Sequence, residues 1–408
     1  MASLHILNIR RNSSSYETLL DSDRQSVRSL ESSVRASCVS SDSEQTLHAD
    51  SVGRSRPDLK RIGFGSQYVP LAGGNLAAGI RSGNTDSLWK SWIPPVLKEA
   101  RFVFGDTLAS GPSANVYKAL DRVSGETVAI KLVRKGKRDA RVLREMFILN
   151  ELHEVPGVVG FAGAFQEPEP KLFAGPAKWS GLVLEYSERL PWSYLNAQID
   201  LAGIQRYVHQ LLSSLSHVHS MGIMHRDIKP QALLYNPTTR MLLITDWGHA
   251  DFVVPGKRYP TQGVSSAHNM PPEYFLDVEH YTSSVDLWAV GCVLGSLLFR
   301  TSTFFKGETP EVQEQFNVIV RTLGGVDLVA YCKRASIPAF KAERLLYDPI
   351  DTYHRQAWQD RVTPLNQSRI TPEGLDLLNQ LLCYDPDLRP TAAEALRHPF
   401  FGSLSTAN

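Results

Sequence analysis

The chain has 408 residues, and its 43 Lys and Arg against 42 Asp and Glu give a formal net charge of +1. This balance argues against nucleic-acid binding and against a polybasic membrane contact, because phosphate-rich surfaces require an excess of cations. The four Cys form no Cys-x-x-Cys pair, and no apolar run is long enough to span a membrane. These features predict a soluble protein of a reducing compartment, the cytoplasm or the nucleus, with one large or two ordinary domains.

The N-terminal segment has an unusual composition. Residues 1–60 hold fifteen Ser and one Tyr, with no Trp or Phe. Such a segment buries too little apolar surface to offset the entropy that it would lose on ordering. The irregular sequence continues until Leu88, Trp89 and Trp92, which we expect to dock onto the folded body. We therefore predict a disordered Ser-rich tail over residues 1–98.

From residue 99 the pattern changes to short strands separated by turn residues. The predicted strands are Val103–Gly105, Asn115–Lys118, Thr127–Val133, Val158–Phe165 and Gly181–Glu185. Apolar residues also recur with helical spacing, once between the predicted strands and then over most of the chain that follows them. The predicted helices are Arg141–Leu152, Leu201–His219, Ser283–Phe299, Glu311–Leu323 and Pro372–Leu382. This order predicts a bilobal α+β fold, with a small β-rich lobe over about 99–186 and a larger helical lobe over about 187–402.

Five short motifs follow one another in the same region. They are Val128–Lys131 on a strand, Glu145 in the middle of a helix, His225–Pro230 after a long helix, Asp246–Gly248 after a short strand, and Pro271–Glu273 before Asp286. Each motif is weak evidence by itself, but their order and spacing resemble those of the eukaryotic protein kinases. The resemblance covers residues 99–402 and implies the protein kinase fold, with ATP and Mg²⁺ as cofactors and a protein as substrate.

The transfer of a γ-phosphoryl group requires positioning and charge neutralisation more than covalent help, and the residue types fit that need. Lys131 is a cation suited to the α- and β-phosphates, and Glu145 would hold it through an ion pair. Asp227 would orient the substrate hydroxyl and accept its proton, while Lys229 would stabilise charge on the γ-phosphate. Asp246 is a hard carboxylate suited to Mg²⁺.

Each of these residues also has an ordinary structural interpretation. A lysine can simply end a strand, a glutamate can be solvated on a helix, and an aspartate can form a turn. We interpret His225 and Arg226 as scaffold rather than as chemistry. We also expect Glu273 and Arg389 to form an ion pair that holds the neighbouring segment.

Within the kinases, the sequence resembles the catalytic subunit of casein kinase II, a member of the CMGC group. The matching stretches are His219–Asp227, Asp246–Gly248, Pro255–Lys257, Phe304–Phe305 with Gly307, and Arg397–Phe400. The resemblance implies that residues 302–370 are the insert of that group. It also implies a regulatory subunit as a possible partner.

The same resemblance implies an ATP-binding set of residues. Glu185 to Ser187 would form the hinge behind Leu184, and the adenine would lie between the residues Val116, Ala129 and Leu234. Ala109 and Gly111 belong to the loop that would cover the phosphates. The apolar members of this set are equally well explained as ordinary core residues.

Two departures from the kinase pattern concern ATP and its metal ions. The position five residues after Asp227 should be Asn, but here it is Ala232, whose methyl group cannot ligate Mg²⁺. We do not expect the adjacent Gln231 to substitute, because neighbouring side chains in an extended loop point in different directions. The phosphate loop retains only Gly111 of three glycines, and Pro112 removes one backbone N–H that could face a phosphate.

A third departure concerns the substrate. Four basic residues lie before or at the start of the predicted helix Arg141–Leu152, near where the resemblance implies a basic cluster: Lys135, Lys137, Arg138 and Arg141. A solvated helix face explains these residues equally well. The activation segment, Tyr259–Pro272, contains no Lys or Arg, and His268 is a poor replacement because an ordinary imidazole is mostly neutral at pH 7. Preference for acidic substrates is therefore not predicted. Thr261, Ser265 and Ser266 are either phosphorylation sites or plain loop residues.

The retained kinase residues and the departures from the kinase pattern leave two functions open. The five intact residues Lys131, Glu145, Asp227, Lys229 and Asp246 favour an active but slow serine/threonine kinase. A lysine two residues after the catalytic aspartate resembles the Ser/Thr rather than the Tyr kinases. The alternative is a pseudokinase scaffold, which binds nucleotide weakly or not at all and acts through protein interactions.

Overall fold

The computed structural model describes residues 73–134, 139–166, 179–309 and 311–405. These residues form two compact units. The first contains residues 94–134, 139, 160–166 and 179–186, and the second contains residues 73–93, 140–159, 187–309 and 311–405. A five-stranded sheet lies in the first unit, and the second is mostly helical. The α+β class predicted from the sequence is confirmed.

The first unit is built on an antiparallel sheet in the spatial order β1-β2-β3-β5-β4. Its strands are β1 (Phe102–Ser110), β2 (Ala114–Asp121), β3 (Thr127–Val133), β4 (Phe161–Gln166) and β5 (Trp179–Glu185). All five strands were predicted, but β1 and β2 extend beyond their predicted bounds, and the prediction is also wrong at the start of β4. There Val158 instead forms an isolated bridge with Ile244 in the second unit, so the ladder begins at Phe161.

One face of this sheet carries the core of the first unit. The buried members of that core are Phe102, Ala119, Val128, Ile130, Ala162, Phe165 and Val183. Because successive side chains of a strand point to opposite faces, Ala129 and Lys131 lie on the other face. The candidate phosphate-binding lysine is thereby kept out of the apolar core.

The second unit contains the helices and several short strands. Its helices are α1 (Gly73–Ser82), α2 (Thr85–Lys90), α3 (Asp139–Glu151), α4 (Trp192–Gln198), α5 (Leu201–Ser220), α6 (Pro272–Phe275), α7 (Ser284–Leu298), α8 (Val312–Leu323), α9 (Gly325–Arg334), α10 (Phe340–Glu343), α11 (Pro372–Leu381), α12 (Ala392–Ala395) and α13 (Gly402–Ser405). Its short strands are β6 (Ile223–Met224), β7 (Leu233–Tyr235), β8 (Leu242–Ile244) and β9 (Asp251–Phe252). β6 pairs with β9, and β7 pairs with β8.

Two helices form the centre of the second unit. Helix α5 is preceded by Asp200, whose carboxylate accepts a hydrogen bond from the N–H of Gly203 at 2.7 Å and so caps the first turn. Helix α7 is buried over residues 285–298, and the indole of Trp288 stacks on Phe305. The candidate catalytic loop, residues 225–232, follows α5 and the short strand β6, so this packed centre supports the candidate site.

Helix α3 belongs to the second unit, which differs from the contiguous lobe of residues 99–186 that we predicted. The reason is apolar packing. The ring of Phe147 contacts the rings of Trp92 and Phe252, with centroids 5.6 and 6.1 Å apart. Phe147 is fully buried, so the apolar side of the helix is committed to this unit.

The expected disorder of residues 1–98 is wrong for residues 73–98, where α1 and α2 form. Leu76 and Trp89 are buried, and Ile80 lies against Gly222, whose positive φ disfavours a side chain. The docking of the tryptophans was therefore predicted correctly, but the helices were not. Residues 1–72 of the predicted tail lie outside the described residues.

Candidate functional site

The sheet places most of the predicted ATP-binding residues of the first unit on one face. Ala109 is paired with Val116, and Val116 is paired with Lys131 on the next strand. Ala129 lies two residues before Lys131 in β3 and is paired with Leu184 of β5. Residues that are directly opposite or two apart share a face of a sheet. Ala109, Val116, Ala129 and Lys131 therefore form one continuous patch.

The turn between β1 and β2 offers few backbone donors to a phosphate. The N–H of Gly111 donates to the carbonyl oxygen of Ala114 at 2.9 Å, which closes the hairpin. Pro112, the next residue, has no N–H. Two consecutive positions of the candidate phosphate loop are therefore unavailable as amide donors, which agrees with the weakening expected from the missing glycines.

The candidate hinge residues are divided between the two units. In the first unit, the carboxylate of Glu185 accepts from the N–H of Gly160 at 3.0 Å, on the face opposite to Lys131. The side chain of Glu185 therefore does not lie on the face that carries the candidate patch. In the second unit, Ser187 donates to the carbonyl of Glu188, and Leu234 is half-buried in β7.

The catalytic loop is held in a strained turn by a buried carboxylate. Arg226 has a φ of 68°, a conformation that is unusual for a side chain of this size. Asp286 accepts from the backbone N–H of His225 at 2.8 Å and from that of Arg226 at 2.7 Å, and His219 donates to it at 2.9 Å. Burial raises the pKa of the Asp286 carboxyl, but these hydrogen bonds outweigh it and hold the pKa below its ordinary value. The carboxylate remains charged and fixes the loop.

The second unit brings together two of the predicted catalytic residues, Asp227 and Lys229, and the predicted metal ligand Asp246. The ammonium of Lys229 lies 2.5 Å from Oδ2 of Asp227 and 3.9 Å from Oδ2 of Asp246. Asp246 has left-handed backbone angles, with φ 61° and ψ 57°, and its side chain is 43% exposed. One cation thus lies between the candidate base and the candidate metal ligand.

Ala232 is fully buried at the end of a 3₁₀ turn over Pro230–Ala232. Its N–H donates to the carbonyl oxygen of Lys229, and its own carbonyl accepts from Thr245, each at 2.9 Å. The loop backbone therefore joins the residue before Asp246, although the methyl side chain adds no ligand. Gln231 is exposed.

Ser266 is a member of the site that the sequence reasoning left undecided. Its N–H and its hydroxyl both donate to Oδ1 of Asp227 at 2.9 Å. Asn269 then donates from Nδ2 to the carbonyl oxygen of Ile228 at 3.0 Å. The activation segment is therefore attached to the catalytic loop at two points. No motif indicated this contact, because its two partners are 39 residues apart in the chain.

Asp251 is a second residue that the sequence reasoning missed. This buried carboxylate accepts from Arg144 at 3.0 Å, from Arg226 at 3.2 Å and from Lys257 at 3.1 Å. Helix α3, the catalytic loop and the residues just before the activation segment thus meet at one anion. The signal in the sequence was Arg226 itself, because a buried guanidinium beside the candidate base requires an anionic partner.

Two further expectations concern buried carboxylates. Glu145 is buried in α3, in the second unit, and its ion pair with Lys131 stays a prediction. The ion pair of Glu273 with Arg389 is confirmed, with two parallel contacts of 2.7 Å. Both side chains are fully buried, as is typical of a bidentate pair that fixes tertiary structure.

His249 lies close to the charged residues of the site and adds no charge at neutral pH. Burial lowers the pKa of its imidazole to about 4, against smaller opposing effects of the carboxylates Asp227 and Asp246. Its backbone carbonyl accepts from Nε of Arg226 at 2.6 Å. The neutral ring therefore forms part of the wall beside the catalytic loop.

The donor chemistry fits one magnesium ion better than two. Magnesium is commonly held by one or two carboxylates together with substrate phosphates and water, and Asp246 is a half-exposed carboxylate of that kind. Ala232 supplies no ligand for a second ion. Among the described residues, no group of three or more His, Cys, Asp or Glu side chains is arranged to hold a metal by itself. A metal ion at this site would thus depend on the phosphates of ATP for its remaining ligands.

The basic cluster before α3 is described only in part. Arg141 is exposed in α3, whereas Lys135, Lys137 and Arg138 lie outside the described residues.

In the part of the chain that the structure describes, no helix is both long and apolar enough to cross a lipid bilayer.

A comparison with known families places these observations in context. The family model of the protein kinase domain matches residues 102–401, which is well over half of the chain. That match includes the five-stranded sheet, the catalytic loop and Asp246. The chain belongs to the protein kinase domain family, and its α+β fold is that of a protein kinase.

Proposed function

We propose that the protein is a slow serine/threonine kinase that transfers the γ-phosphate of ATP to a hydroxyl of a protein substrate. The observation that carries this proposal is the arrangement at Asp227. Its carboxylate contacts Lys229 on one oxygen and the activation segment on the other, and Asp246 lies on the far side of the same lysine. A chain that had drifted into a pure scaffold would have no physical reason to keep these residues together.

Asp227 acts in this proposal as the group that orients the substrate hydroxyl and accepts its proton. A general base must lie within hydrogen-bond reach of the proton that it removes. Oδ1 of Asp227 already accepts a serine hydroxyl from Ser266 at 2.9 Å, so the carboxylate is positioned to hold a hydroxyl group. Lys229 holds the carboxylate in place and supplies positive charge where the transferred phosphoryl group gains negative charge.

The remaining residues neutralise and position the phosphates. Lys131, on the patch with Ala129 and Val116, supplies a cation for the α- and β-phosphates. Asp246 would hold the Mg²⁺ that, when bound, neutralises phosphate charge. The hinge residues Glu185 and Ser187 and the phosphate loop at Ala109 and Gly111 stay predictions for ATP contacts.

The expected rate is low because the site lacks one ligand. We take the loss of an Asn at Ala232 as similar to the removal of one preorganised donor, about 3 kcal/mol. That corresponds to roughly a hundredfold in rate. Typical kinases turn over at about 1–100 per second, so a slow enzyme survives this loss.

The finer parts of the proposal rest on the sequence resemblance. Lys229, two residues after Asp227, favours Ser and Thr over Tyr as acceptors. The resemblance to the casein kinase II catalytic subunit and its CMGC group extends the proposal to a regulatory subunit as partner. The isolated cysteines favour the cytoplasm or the nucleus as the location.

A second candidate function is that of a pseudokinase scaffold. The turn at Gly111 and Pro112 favours it, since two successive amides of the phosphate loop are unavailable. Together with Ala232, this weakens ATP binding as well as catalysis. In that case the protein acts through its interactions with other proteins.

The experiment that separates the two functions is the transfer of labelled phosphate from ATP to casein and to the protein itself. It is carried out with Mg²⁺ and with Mn²⁺, beside a Lys131→Met control. We expect incorporation that is lost in the control. No incorporation with either metal would instead support the scaffold.

A further inference from the structure

Three polar side chains form a cluster at the turn between β1 and β2. Arg134, which directly follows β3, donates from Nη2 to Oδ1 of Asn115 at 3.1 Å and to Oγ of Ser110 at 3.4 Å. The hydroxyl of Ser110 also donates to Oδ1 of Asn115, at 2.9 Å. One guanidinium thus connects the ends of β1, β2 and β3. We call Ser110, Asn115 and Arg134 the outer clasp.

The outer clasp lies on the face of the sheet that is opposite to the candidate ATP patch. Ser110 is paired with Asn115, whereas the neighbouring pair of Ala109 and Val116 belongs to the patch. Successive residues of a strand point to opposite faces, so Ser110 and Asn115 point away from a nucleotide on the patch. Any effect of the clasp on a nucleotide therefore passes through the backbone of the loop.

Packing against the core of the first unit supports the outer clasp. Asn115 donates from Nδ2 to the hydroxyl oxygen of Tyr117 at 3.4 Å. The ring of Tyr117 contacts the ring of Phe104 edge-on, with centroids 5.8 Å apart, and Phe104 packs on the buried core of the sheet. The clasp is therefore continuous with packed side chains, which restrict its movement.

Arg134 also attaches the backbone of the candidate phosphate loop to the strand that carries Lys131. The N–H of Arg134 donates to the carbonyl oxygen of Ser113 at 2.9 Å, one residue after Pro112. Lys131 lies in β3, three residues before Arg134. In the proposed function, the phosphates of ATP lie between this lysine and the loop. The space that is available to them thus depends on how Arg134 holds Ser113.

A loop that is ordered in advance favours ligand binding. When a loop becomes ordered only on binding, the loss of its conformational entropy weakens the complex. Here the clasp and the hairpin closed at Gly111 order the loop when the protein folds, before a nucleotide is present. This order partly compensates for the amide donors that the loop lacks.

We propose that Arg134 is a positioning residue for ATP, which holds the candidate phosphate loop at a fixed distance from Lys131 through Ser110, Ser113 and Asn115. This role rests on the proposed kinase function and deepens it, because it names the residue that orders the nucleotide site. Arg134 itself does not contact the nucleotide, and the clasp acts on binding rather than on the chemical step.

The kinetic test is the initial rate of phosphate transfer as a function of ATP concentration, measured on the full chain. In Arg134→Ala we expect the KM for ATP to rise about fivefold, the effect of one net hydrogen bond to a charged group, with kcat unchanged. Arg122→Ala is the matched control, since Arg122 is exposed in the turn between β2 and β3, at the opposite end of these strands. An unchanged KM in Arg134→Ala, or a loss confined to kcat, would overturn the role of Arg134.

Hydrogen exchange of the loop tests the clasp without nucleotide. We expect the amides of residues 108–117 to exchange about fivefold faster in Arg134→Ala than in the wild type and in Arg122→Ala. Asn115→Asp should slow their exchange, because its contact with the guanidinium becomes an ion pair. That slowing should be absent when Arg134→Ala is also present, since the two changes act on one contact. Equal exchange in the wild type and in Arg134→Ala would overturn the clasp.

Nucleotide binding separates this role from the proposed kinase function. The fluorescent analogue methylanthraniloyl-ATP is titrated, with Mg²⁺, into the wild type, Arg134→Ala and Arg122→Ala. If the wild type transfers no phosphate but Arg134→Ala binds the analogue about fivefold more weakly, the kinase proposal is overturned and the role of Arg134 is supported. If the wild type transfers phosphate and all three proteins bind the analogue equally, the role of Arg134 is overturned and the kinase proposal is supported.

Discussion

Ala232 is the residue at which this chain departs most clearly from an efficient kinase. Its side chain is fully buried, and its backbone joins the catalytic loop to Thr245, directly before Asp246. The backbone of the loop is thus hydrogen-bonded on both sides of Ala232, whose methyl side chain offers no ligand. We therefore expect the departure to affect metal binding rather than the fold of the loop.

We expect Ala232→Asn to raise phosphoryl transfer at limiting Mg²⁺ by up to about a hundredfold, since it restores one preorganised ligand. The measurement is the initial rate as a function of Mg²⁺ concentration. Ala232→Val adds bulk without a ligand and is the control for packing at this buried position. A rate that rises in neither variant, with thermal unfolding unchanged, would show that the site is not limited by metal.

His249 makes the stability of the folded chain depend on pH. Its pKa is lowered by burial to about 4 in the folded chain, whereas an ordinary His titrates near 6.5. Between these values the unfolded chain binds a proton that the folded chain does not, so stability is lost as the pH falls. The loss is fully developed only below the folded pKa.

We expect this linkage to cost the wild type about 2 kcal/mol of unfolding free energy at pH 5 relative to pH 7.5, beyond what His249→Gln loses. Urea unfolding of both proteins at the two pH values measures the difference. His280→Gln, at an exposed histidine, is the control and should follow the wild type. Parallel losses in all three proteins would refute the buried neutral state of His249.

At the scale of elements, one carboxylate joins three parts of the second unit. Asp251 opens β9 and accepts from Arg144 of α3, from Arg226 of the catalytic loop and from Lys257. Three cations around one buried anion are stable only while that anion is present. The position of α3 relative to the catalytic loop is therefore sensitive to this single side chain.

We expect Asp251→Asn to destabilise the fold by about 3 kcal/mol, the range found when one member of a buried ion pair is removed. The measurement is chemical unfolding at neutral pH, with phosphate transfer as a second readout. Glu279→Gln is the control, because its pair with Arg258 is largely exposed and such pairs contribute about 0–1 kcal/mol. Equal effects of the two changes would contradict a special role for Asp251.

The elements that the sequence predicted well are those in which local and tertiary preferences agree. Thr127–Val133 is a run of β-branched and apolar residues that became β3 with the predicted bounds. Helix α1 was missed because Gly73, Gly74 and Gly79 weaken local helix propensity, and α2 because its six residues are too few for a helical repeat of apolar positions. Their stability comes from packing, through Leu76, Trp89 and Ile80, which composition does not reveal.

For the whole molecule, the order of motifs was enough to predict the family, which the match over residues 102–401 confirms. The contacts of the candidate site were harder to predict. Ser266 and Asp251 act through partners that are distant in sequence, and neither belongs to a short motif. Their roles follow from the fold, because a carboxylate or hydroxyl becomes part of a site only when tertiary structure places it there.

The proposed kinase activity requires that Asp227 receives a proton from a substrate hydroxyl. The measurement that tests it most directly is the time course of phosphate transfer from labelled ATP by the wild type and by Asp227→Asn, with mass spectrometry to assign the phosphorylated residues. We expect slow transfer to Ser and Thr by the wild type, and a rate at least about a hundredfold lower in the variant. Equal transfer by both proteins, or none by the wild type, would contradict this account.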